Sequence, residues 1–318
     1  MSETAAWRHG ARRVEDWFLA PAPVQVMVLN RIILGSVLFL HALSRAPEFP
    51  RLYGAASATW SAPYRQWVDS VLAPDLARAL LELVSVLAQL APGSREVLLM
   101  AGYALLLAST LAFALGLFTR VAGVTAVALH MLFVAIHPLA HYGWASMVAP
   151  FTLYVVLSRA GDYVSLDDWR RRRRGVGPPL NNMAPAWPMR LLQIHVAAMY
   201  FHSGFARIDD PLWLEGQALF EALARTLFTR LTFDLHMWSP ALMLLTWAVF
   251  LLEPLAALFL WIPRLRTLCA LALIAMHVVL EILTNVGWWN FIMISGLLAF
   301  LPVSWVTRLL PGWPPARR

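Results

Sequence analysis

The residues with the greatest capacity for chemistry in this sequence lie within one apolar segment, residues 187–221. Its polar side chains recur every seven residues in two sets, Gln193, Tyr200 and Arg207, and then His195 and His202. On an α-helix each set forms one stripe, and the two stripes lie roughly 140° apart. Polar groups at membrane depth cost free energy unless they find partners, so we expect both stripes to face a protein interior.

Further ionisable residues fall within other apolar stretches. His277 and Glu281 are four residues apart and therefore share one helix face, while Glu253 directly precedes Pro254, where a kink can expose backbone groups. One interpretation is a polar cavity at the outer half of a helix bundle, in which a histidine accepts a proton. The alternative is that these groups pair across helices and only stabilise the bundle. The cavity interpretation predicts two sets of site residues, a catalytic set of Arg207, His202, His195 and Tyr200, and a ligand-cavity set of Gln193, His130, Glu253, His277 and Glu281.

Several reaction classes lack their motifs in this sequence. His277 and Glu281 have helical ligand spacing, but there is no HExxH and no third ligand, so we predict no metal site. There is no GxSxG, no P-loop and no GxGxxG, and the single cysteine, Cys269, lies in an apolar run. All 25 basic residues are arginines, which stay protonated and cannot act as a general base or form a Schiff base. The cofactor is left unknown, with a quinone-type ligand as one option.

The composition indicates a membrane protein. Sixty per cent of the residues are hydrophobic and 15 are tryptophans. The net charge of +7 comes from arginines at the ends of apolar runs and not from an aromatic-basic module, so we predict no nucleic-acid partner. We predict an all-α, polytopic transmembrane bundle of about eight spans in the lipid bilayer. The apolar runs lie near 24–43, 97–116, 121–137, 142–158, 189–206, 238–261, 266–284 and 288–306.

The arginines also predict how the chain is oriented. They follow alternate spans, whereas the connections near His141 and Asn285 carry none. By the positive-inside rule both termini are then on the cytoplasmic side of the membrane. We also predict that anionic lipid is attracted to the run Arg170–Arg174.

These spans divide the chain into three parts. We predict a cytoplasmic N-terminal segment over 1–23, a transmembrane bundle over 24–306 and a cytoplasmic tail over 307–318. The bundle has two long outer loops, 44–96 and 207–237. Within the first loop, residues 75–90 are apolar but short for a span, which favours an interfacial or re-entrant helix. The second loop contains a candidate amphipathic helix over 213–228.

The segment around Arg207 resembles the HTTM family, the membrane domain shared by bacterial proteins and the vitamin K-dependent γ-glutamyl carboxylases. The matching residues are Arg190, Leu191-Leu192, Gln193, Tyr200-Phe201, Ser203-Gly204, Arg207, Trp213, Glu215-Gly216 and Ala218-Leu219. Arg31 and Gly35 resemble the family's first helix, and His130 resembles its mid-chain histidine. Arg31 follows closely on the predicted cytoplasmic end of its span, so we expect its side chain to snorkel to that face.

The resemblance also shows what this chain lacks. In the carboxylases the position of Arg207 is a lysine that takes a proton from reduced vitamin K, and a large luminal domain follows the membrane domain. Here that position is arginine and the sequence continues only briefly beyond the last predicted span. We therefore expect no vitamin K-dependent glutamate carboxylation.

Two functions stay open. The first is a membrane enzyme of lyase or oxidoreductase type, or a binder of a quinone- or lipid-like ligand, in which Arg207 anchors an anion or carbonyl and a histidine accepts a proton. The second is a non-catalytic membrane partner in the export or maturation of a secreted peptide or envelope protein.

Overall fold

A computed structural model describes residues 15–54, 94–137, 143–176, 183–225, 227–231 and 234–310, together with Ser57, Ser61, Glu82 and Val86. The interfacial helix predicted over 75–90 lies outside these residues, apart from Glu82 and Val86. Most of the two predicted terminal segments also lies outside them. The described chain is almost entirely helical, which confirms the all-α class.

Thirteen α-helices are present in the described residues. The first six are α1 (Gln25–Arg45), α2 (Phe49–Tyr53), α3 (Ser94–Leu115), α4 (Thr119–Ile136), α5 (Trp144–Leu157) and α6 (Leu166–Arg173). The others are α7 (Trp187–Phe205), α8 (Pro211–Leu214), α9 (Ala218–Ala224), α10 (Leu235–Phe259), α11 (Arg266–Leu283), α12 (Trp289–Leu297) and α13 (Val303–Arg308). Short 3₁₀ helices cover Ala46–Glu48, Ala160–Asp162 and Leu298–Phe300. Two short strands, β1 (Pro21–Pro23) and β2 (Met183–Pro185), pair antiparallel.

Helices occupy all eight predicted span positions, but they differ in length and in hydropathy, and α7, at the predicted span 189–206, is not among those long and apolar enough to cross a membrane. Within the described residues, five helices are long and apolar enough to cross a membrane: α1, α3, α4, α10 and α11. Shorter apolar helices lie at Met147–Leu157 and Trp289–Phe300. The last predicted span, 288–306, is interrupted, because Pro302 precedes a separate helix, α13, and proline has no N–H to continue a helix.

The chain forms two compact units. The central unit contains the described residues from Asn30 to Val176, and the flanking unit contains those up to Leu29 and those from Met183 onward. The boundary falls inside α1, so one continuous helix contributes to both units.

Packing in the central unit depends on small residues and aromatic rings. A Cβ on Gly35 would lie 2.6 Å from the Ala114 Cα atom, so α1 and α3 approach each other too closely for any larger side chain. Near the other end of α1, the Tyr103 hydroxyl donates to the carbonyl oxygen of Ala42 at 2.6 Å. Tyr103 also lies edge-on to Phe133, with ring centroids 5.1 Å apart. These contacts join α1, α3 and α4 into one core.

Arg31 is buried in the central unit against the segment that follows α5, and its side chain does not reach solvent as the predicted snorkelling would require. Its side chain is 1% exposed, and its guanidinium donates to the carbonyl oxygens of Ala160 at 2.7 Å, Tyr163 at 3.3 Å and Val164. Three fixed carbonyl oxygens around a five-donor fork explain why the charge stays inside, where snorkelling would leave the carbonyls without donors. Arg31 therefore orders the segment that follows α5.

In the flanking unit, α7 packs against α10 and the strand pair lies just before α7. Strand β1 pairs with β2 in the register Pro21 to Pro185, which links the chain before α1 to the chain before α7. At the far end of α11 an isolated bridge joins Thr229 to Thr284. The bridge holds the loop after α9 against the end of α11.

Candidate functional site

The centre of the candidate site is an ion pair between Arg207 and Glu253. Arg207 follows the last turn of α7, and its guanidinium donates to the carboxylate of Glu253 on α10. Glu253 is only 6% exposed, so its charge depends on this partner. The ring of Trp213 covers the other side of the guanidinium, with its centroid 4.0 Å from the Cζ atom. Arg207 is thereby held by a carboxylate and an aromatic face at once.

Gly204 allows the helices to approach closely enough for this ion pair. A Cβ at Gly204 would lie 2.7 Å from both Cβ and Cδ of Pro254, and 2.8 Å from its nitrogen. The side-chain atoms belong to a rigid ring and the nitrogen to the backbone, so they cannot move aside cheaply. Glu253 precedes this proline, and Ser203, which precedes the glycine, lies close enough to interact with the Glu253 carboxylate. The dipeptides Ser203-Gly204 and Glu253-Pro254 thus form one contact.

Replacement of Gly204 by alanine is expected to destabilise the protein by about 1–3 kcal/mol, the typical cost of overpacking a filled contact. The measurement is thermal unfolding of the purified protein in mild detergent. Gly102→Ala is the matched control, because a Cβ there meets only the Phe133 ring at 3.9 Å. Equal melting temperatures for the two variants would show that α7 and α10 do not need the close approach.

A second polar cluster extends from α7 to the loop after α9. The Tyr200 hydroxyl lies 2.8 Å from His277 Nε2, and His277 Nδ1 lies 2.9 Å from Asn290 Oδ1. The Asn290 amide nitrogen donates to Glu281 at 3.0 Å, and Glu281 forms an ion pair with Arg230 at 2.6 Å. The amide of Asn290 donates through its nitrogen, so its oxygen accepts from His277 Nδ1. In a neutral imidazole, His277 Nε2 is then the acceptor for the Tyr200 hydroxyl.

The loop that carries Arg230 is fixed by main-chain hydrogen bonds. The Arg230 amide donates to the carbonyl of Leu283 at 3.1 Å, and the Asn285 amide donates to the carbonyl of Phe228 at 2.8 Å. These bonds place the guanidinium beside Glu281, one turn before the end of α11. The hydrogen-bonded chain therefore connects a fully buried tyrosine to a partly exposed arginine.

The structure brings together five of the nine residues predicted for the site. Tyr200, Arg207, Glu253, His277 and Glu281 belong to these two clusters. The first stripe of α7 faces the interior as expected, since Gln193 and Tyr200 are both buried. Gln193 nevertheless lies near the opposite end of α7, where it donates to the Ala299 carbonyl at 2.6 Å and accepts from Arg190 at 2.9 Å.

The second stripe does not face the interior as a whole. His195 is half-buried and His202 is exposed, next to the exposed rings of Phe201 and Phe205. The seven-residue spacing placed the two histidines on one face correctly, but it could not show which face packs against α10. That depends on the Gly204 contact, which lies on the other side of the helix.

His130 belongs to the central unit and has different neighbours. Its ring stacks on Trp144 with centroids 5.6 Å apart, and His41 meets the same indole edge-on at 4.6 Å. His130 is thus part of a separate ring cluster. Three contributors were missed in the flanking unit: Ser203, Asn290 and Arg230. Asn290 was detectable as the lone amide in an otherwise apolar run, whereas the role of Arg230 depends on a long-range strand bridge.

Residues of the sequence motif around Arg207 also fix the segment beyond α7. Gly216 has φ +76°, and a Cβ there would lie 2.4 Å from Met243 Cγ on α10. The amide of Leu219 donates to the Thr246 hydroxyl at 3.2 Å, and the Trp247 indole donates to the Leu214 carbonyl at 3.1 Å. Several residues of the motif therefore have a structural role, because they fix the segment against α10.

Long apolar helices with buried polar clusters between them define this chain as a multi-pass α-helical membrane protein. The HTTM domain model matches residues 83–305, which is more than half of the chain. The chain belongs to the HTTM family, as the motif around Arg207 had indicated. No curated protein and no solved structure matches it.

Proposed function

We propose that this HTTM protein binds an amphipathic ligand of the quinone or lipid class by its polar head, beside Tyr200 of α7 and Arg207, which follows that helix. The observation that carries the proposal is the hydrogen-bonded chain from Tyr200 through His277, Asn290 and Glu281 to Arg230. Three of its groups, Tyr200, His277 and Glu281, can exchange protons, and the chain joins a buried tyrosine to a partly exposed end. An arrangement of this kind is expensive inside a membrane and suits proton transfer.

Each residue has a definite role in this proposal. Arg207 supplies a fixed positive donor for a ligand carbonyl or anion, next to the indole of Trp213. In its neutral form, His277 accepts a hydrogen bond from the Tyr200 hydroxyl at Nε2, and its Nδ1–H donates to the Asn290 oxygen. In the catalytic form of the proposal the protein is a membrane-embedded lyase or oxidoreductase, with His277 as the proton acceptor. Vitamin K-dependent carboxylation is left out, because arginine cannot take the proton that a lysine base would.

Mass spectrometry of ligands that co-purify with the detergent-extracted protein tests the proposal. We expect wild-type protein to retain a quinone or lipid, and Tyr200→Phe to retain about tenfold less, since it loses one buried hydrogen bond. Tyr103→Phe is the matched control, because it removes a buried tyrosine hydrogen bond in the central unit. Equal retention by both variants, or a wild-type protein that carries no ligand, would contradict the proposal.

A second function is supported by a different observation. Arg207 is already satisfied within the chain by Glu253 and Trp213, whereas the opposite face of α7 exposes Phe201 and Phe205. An apolar face of this kind suits a non-catalytic membrane partner in the export or maturation of a secreted peptide or envelope protein. Two results would favour this second function. A photo-crosslinking residue in place of Phe201 would capture such a peptide, and a Tyr200→Phe variant would support its export or maturation as well as the wild type does.

We also propose a bacterial inner-membrane location with cytoplasmic termini, based on the distribution of arginines. We propose in addition that anionic lipid on the cytoplasmic side is attracted to the run Arg170–Arg174. Arg171 and Arg172 both pair with Asp168, and the Arg173 guanidinium lies 4.0 Å from the ring centroid of Trp169. A C-terminal reporter that is active only in the cytoplasm tests the orientation.

A further inference from the structure

A cleft of about 300 Å³ lies in the central unit, remote in sequence from the α7 site. It lies between the turn that joins α3 to α4 and the segment that follows α5. Three arginines line it, Arg120, Arg159 and Arg171, together with two aspartates, Asp162 and Asp167. The lining therefore carries one net positive charge, and the arginine-rich helix α6 adjoins it.

The arginines of the cleft differ in how far they are already engaged. Arg159 pairs with Asp162 at 2.6 Å, and Arg171 donates at 2.6 Å to both the Asp162 carbonyl and the Asp168 carboxylate. Arg120 is exposed and forms no ion pair within the described residues. A ligand with several acceptor oxygens could therefore bind the guanidinium of Arg120, which has no ion-pair partner among the described residues, beside those of Arg159 and Arg171, which are already fixed by their partners.

Thr119 is the second sign that the cleft holds a ligand. The residue is 7% exposed and lines the cleft, and its hydroxyl oxygen has no hydrogen-bond partner within the described residues. Buried hydroxyls are rarely left without a partner, so such a group at a polar cleft calls for an acceptor or donor from outside the chain. Gly161 lies opposite, where a Cβ would come within 2.5 Å of this oxygen, so only glycine leaves the hydroxyl in place.

The start of α4 adds a favourable electrostatic field. The helix begins at Thr119, and its N-cap residue, Phe118, provides no side-chain hydrogen bond. First-turn amides of a helix have no intrahelical acceptor and attract anions. One carboxylate already lies at this end of the helix, since Asp167 accepts a hydrogen bond from the Thr119 amide at a long 3.3 Å.

Two exposed apolar side chains at the cleft indicate the kind of molecule that carries the anion. Phe118 is 61% exposed and Val121 is 70% exposed, and both belong to the cleft lining. They stand at the end of a membrane-length helix, α4, where lipid chains meet headgroups. A polar cleft flanked by exposed apolar groups at that level fits a phosphate that is attached to acyl chains.

We propose that this cleft binds a phosphate group, contributed by the headgroup of an anionic phospholipid or by free phosphate. Arg120 and the hydroxyl of Thr119 are its principal donors, while Arg159 and Arg171 provide the surrounding positive charge. Arg31 is a positioning residue, because its bonds to the carbonyls of the 160–164 segment hold that wall of the cleft. The proposal is independent of the function assigned to the α7 site.

Native mass spectrometry of the purified protein in neutral detergent tests this proposal with three probes. These are phosphatidylglycerol, diacylglycerol with the same acyl chains but no phosphate, and inorganic phosphate. We expect phosphatidylglycerol to stay bound and diacylglycerol to be lost. Binding of inorganic phosphate with an affinity similar to that of the lipid would support the phosphate chemistry and assign it to the free ion.

Variants distinguish binding of phosphate in the cleft from a general attraction of anionic lipid to arginines. We expect Thr119→Val with Arg120→Gln to lower phosphatidylglycerol occupancy about tenfold or more, since a charge-assisted hydrogen bond is lost. Arg174→Gln is the matched control, because it also removes one positive charge, at the end of α6, but Arg174 does not line the cleft. Equal losses in both variants, or equal binding of diacylglycerol and phosphatidylglycerol, would overturn the proposal. Elution of each variant at the wild-type position in size-exclusion chromatography verifies its fold.

Discussion

Arg207→Met is expected to lower the free energy of unfolding by about 3 kcal/mol or more, because the change leaves the Glu253 carboxylate buried without its cation. Methionine keeps much of the length and apolar contact of the arginine side chain, including its packing near Trp213. The loss then reports the missing charge and not a cavity. Denaturant or thermal unfolding in a fixed detergent measures it.

The double variant Arg207→Met with Glu253→Gln is the control for this result. Both charges are gone, so no buried carboxylate is left without its cation, and we expect most of the lost stability to return. Recovered stability without recovered ligand would assign Arg207 to ligand binding as well as to folding. If the single variant is as stable as the wild type, Glu253 does not depend on Arg207 and the ion pair is not the centre of the site.

Arg31→Met is expected to have a still larger effect and to prevent accumulation of folded protein. Two buried carbonyl oxygens and one partly buried one would lose their donor, at about 1–3 kcal/mol for each buried group. One of them belongs to Val164, a β-branched residue held at φ 44°, a conformation that itself costs free energy. Arg31→Lys is expected to rescue little, because a single ammonium cannot reach three acceptors with the geometry of a guanidinium fork.

Arg45→Met is the control for Arg31→Met. It tests whether the loss of folded protein depends on the position of Arg31 or follows from the removal of any arginine of α1. Arg45 lies at the other end of α1 and pairs with Glu48 near the surface, with 30% of its side chain exposed. Its loss is expected to change stability by about 0.5 kcal/mol or less. Yields of folded protein, followed by fluorescence-detected size-exclusion chromatography, compare the variants. Normal yields for Arg31→Met would show that the 160–164 segment folds without the guanidinium.

The sequence predicted the helices well because their signal is local. Apolar runs, the arginines between them and Pro302 each act over one helix length, and even the interruption by Pro302 is readable in hindsight. The grouping of Gln193, Tyr200 and Arg207 on one face also followed from spacing alone, although Gln193 and Arg207 lie near opposite ends of that face.

The site itself depends on contacts that spacing does not encode. His130 and His277 occupy similar positions in apolar helices, but the first meets a tryptophan ring and the second an asparagine amide. Which face of α7 is buried depends on the fit of Gly204 against Pro254, and the place of Arg230 depends on a strand bridge. Such features become visible only when distant segments are brought together.

The pairing of β1 with β2 has a consequence for how the chain is made. Strand β1 ends at Pro23, but its partner begins only at Met183, and all the described residues of the central unit lie between them in the sequence. At about 5–20 residues per second, the first strand leaves the ribosome roughly 10 to 30 s before its partner. Throughout that interval the first strand lacks its partner, while the residues of the central unit are being synthesised. A nascent chain arrested before residue 183 should therefore contain a finished central unit and an unpaired first strand.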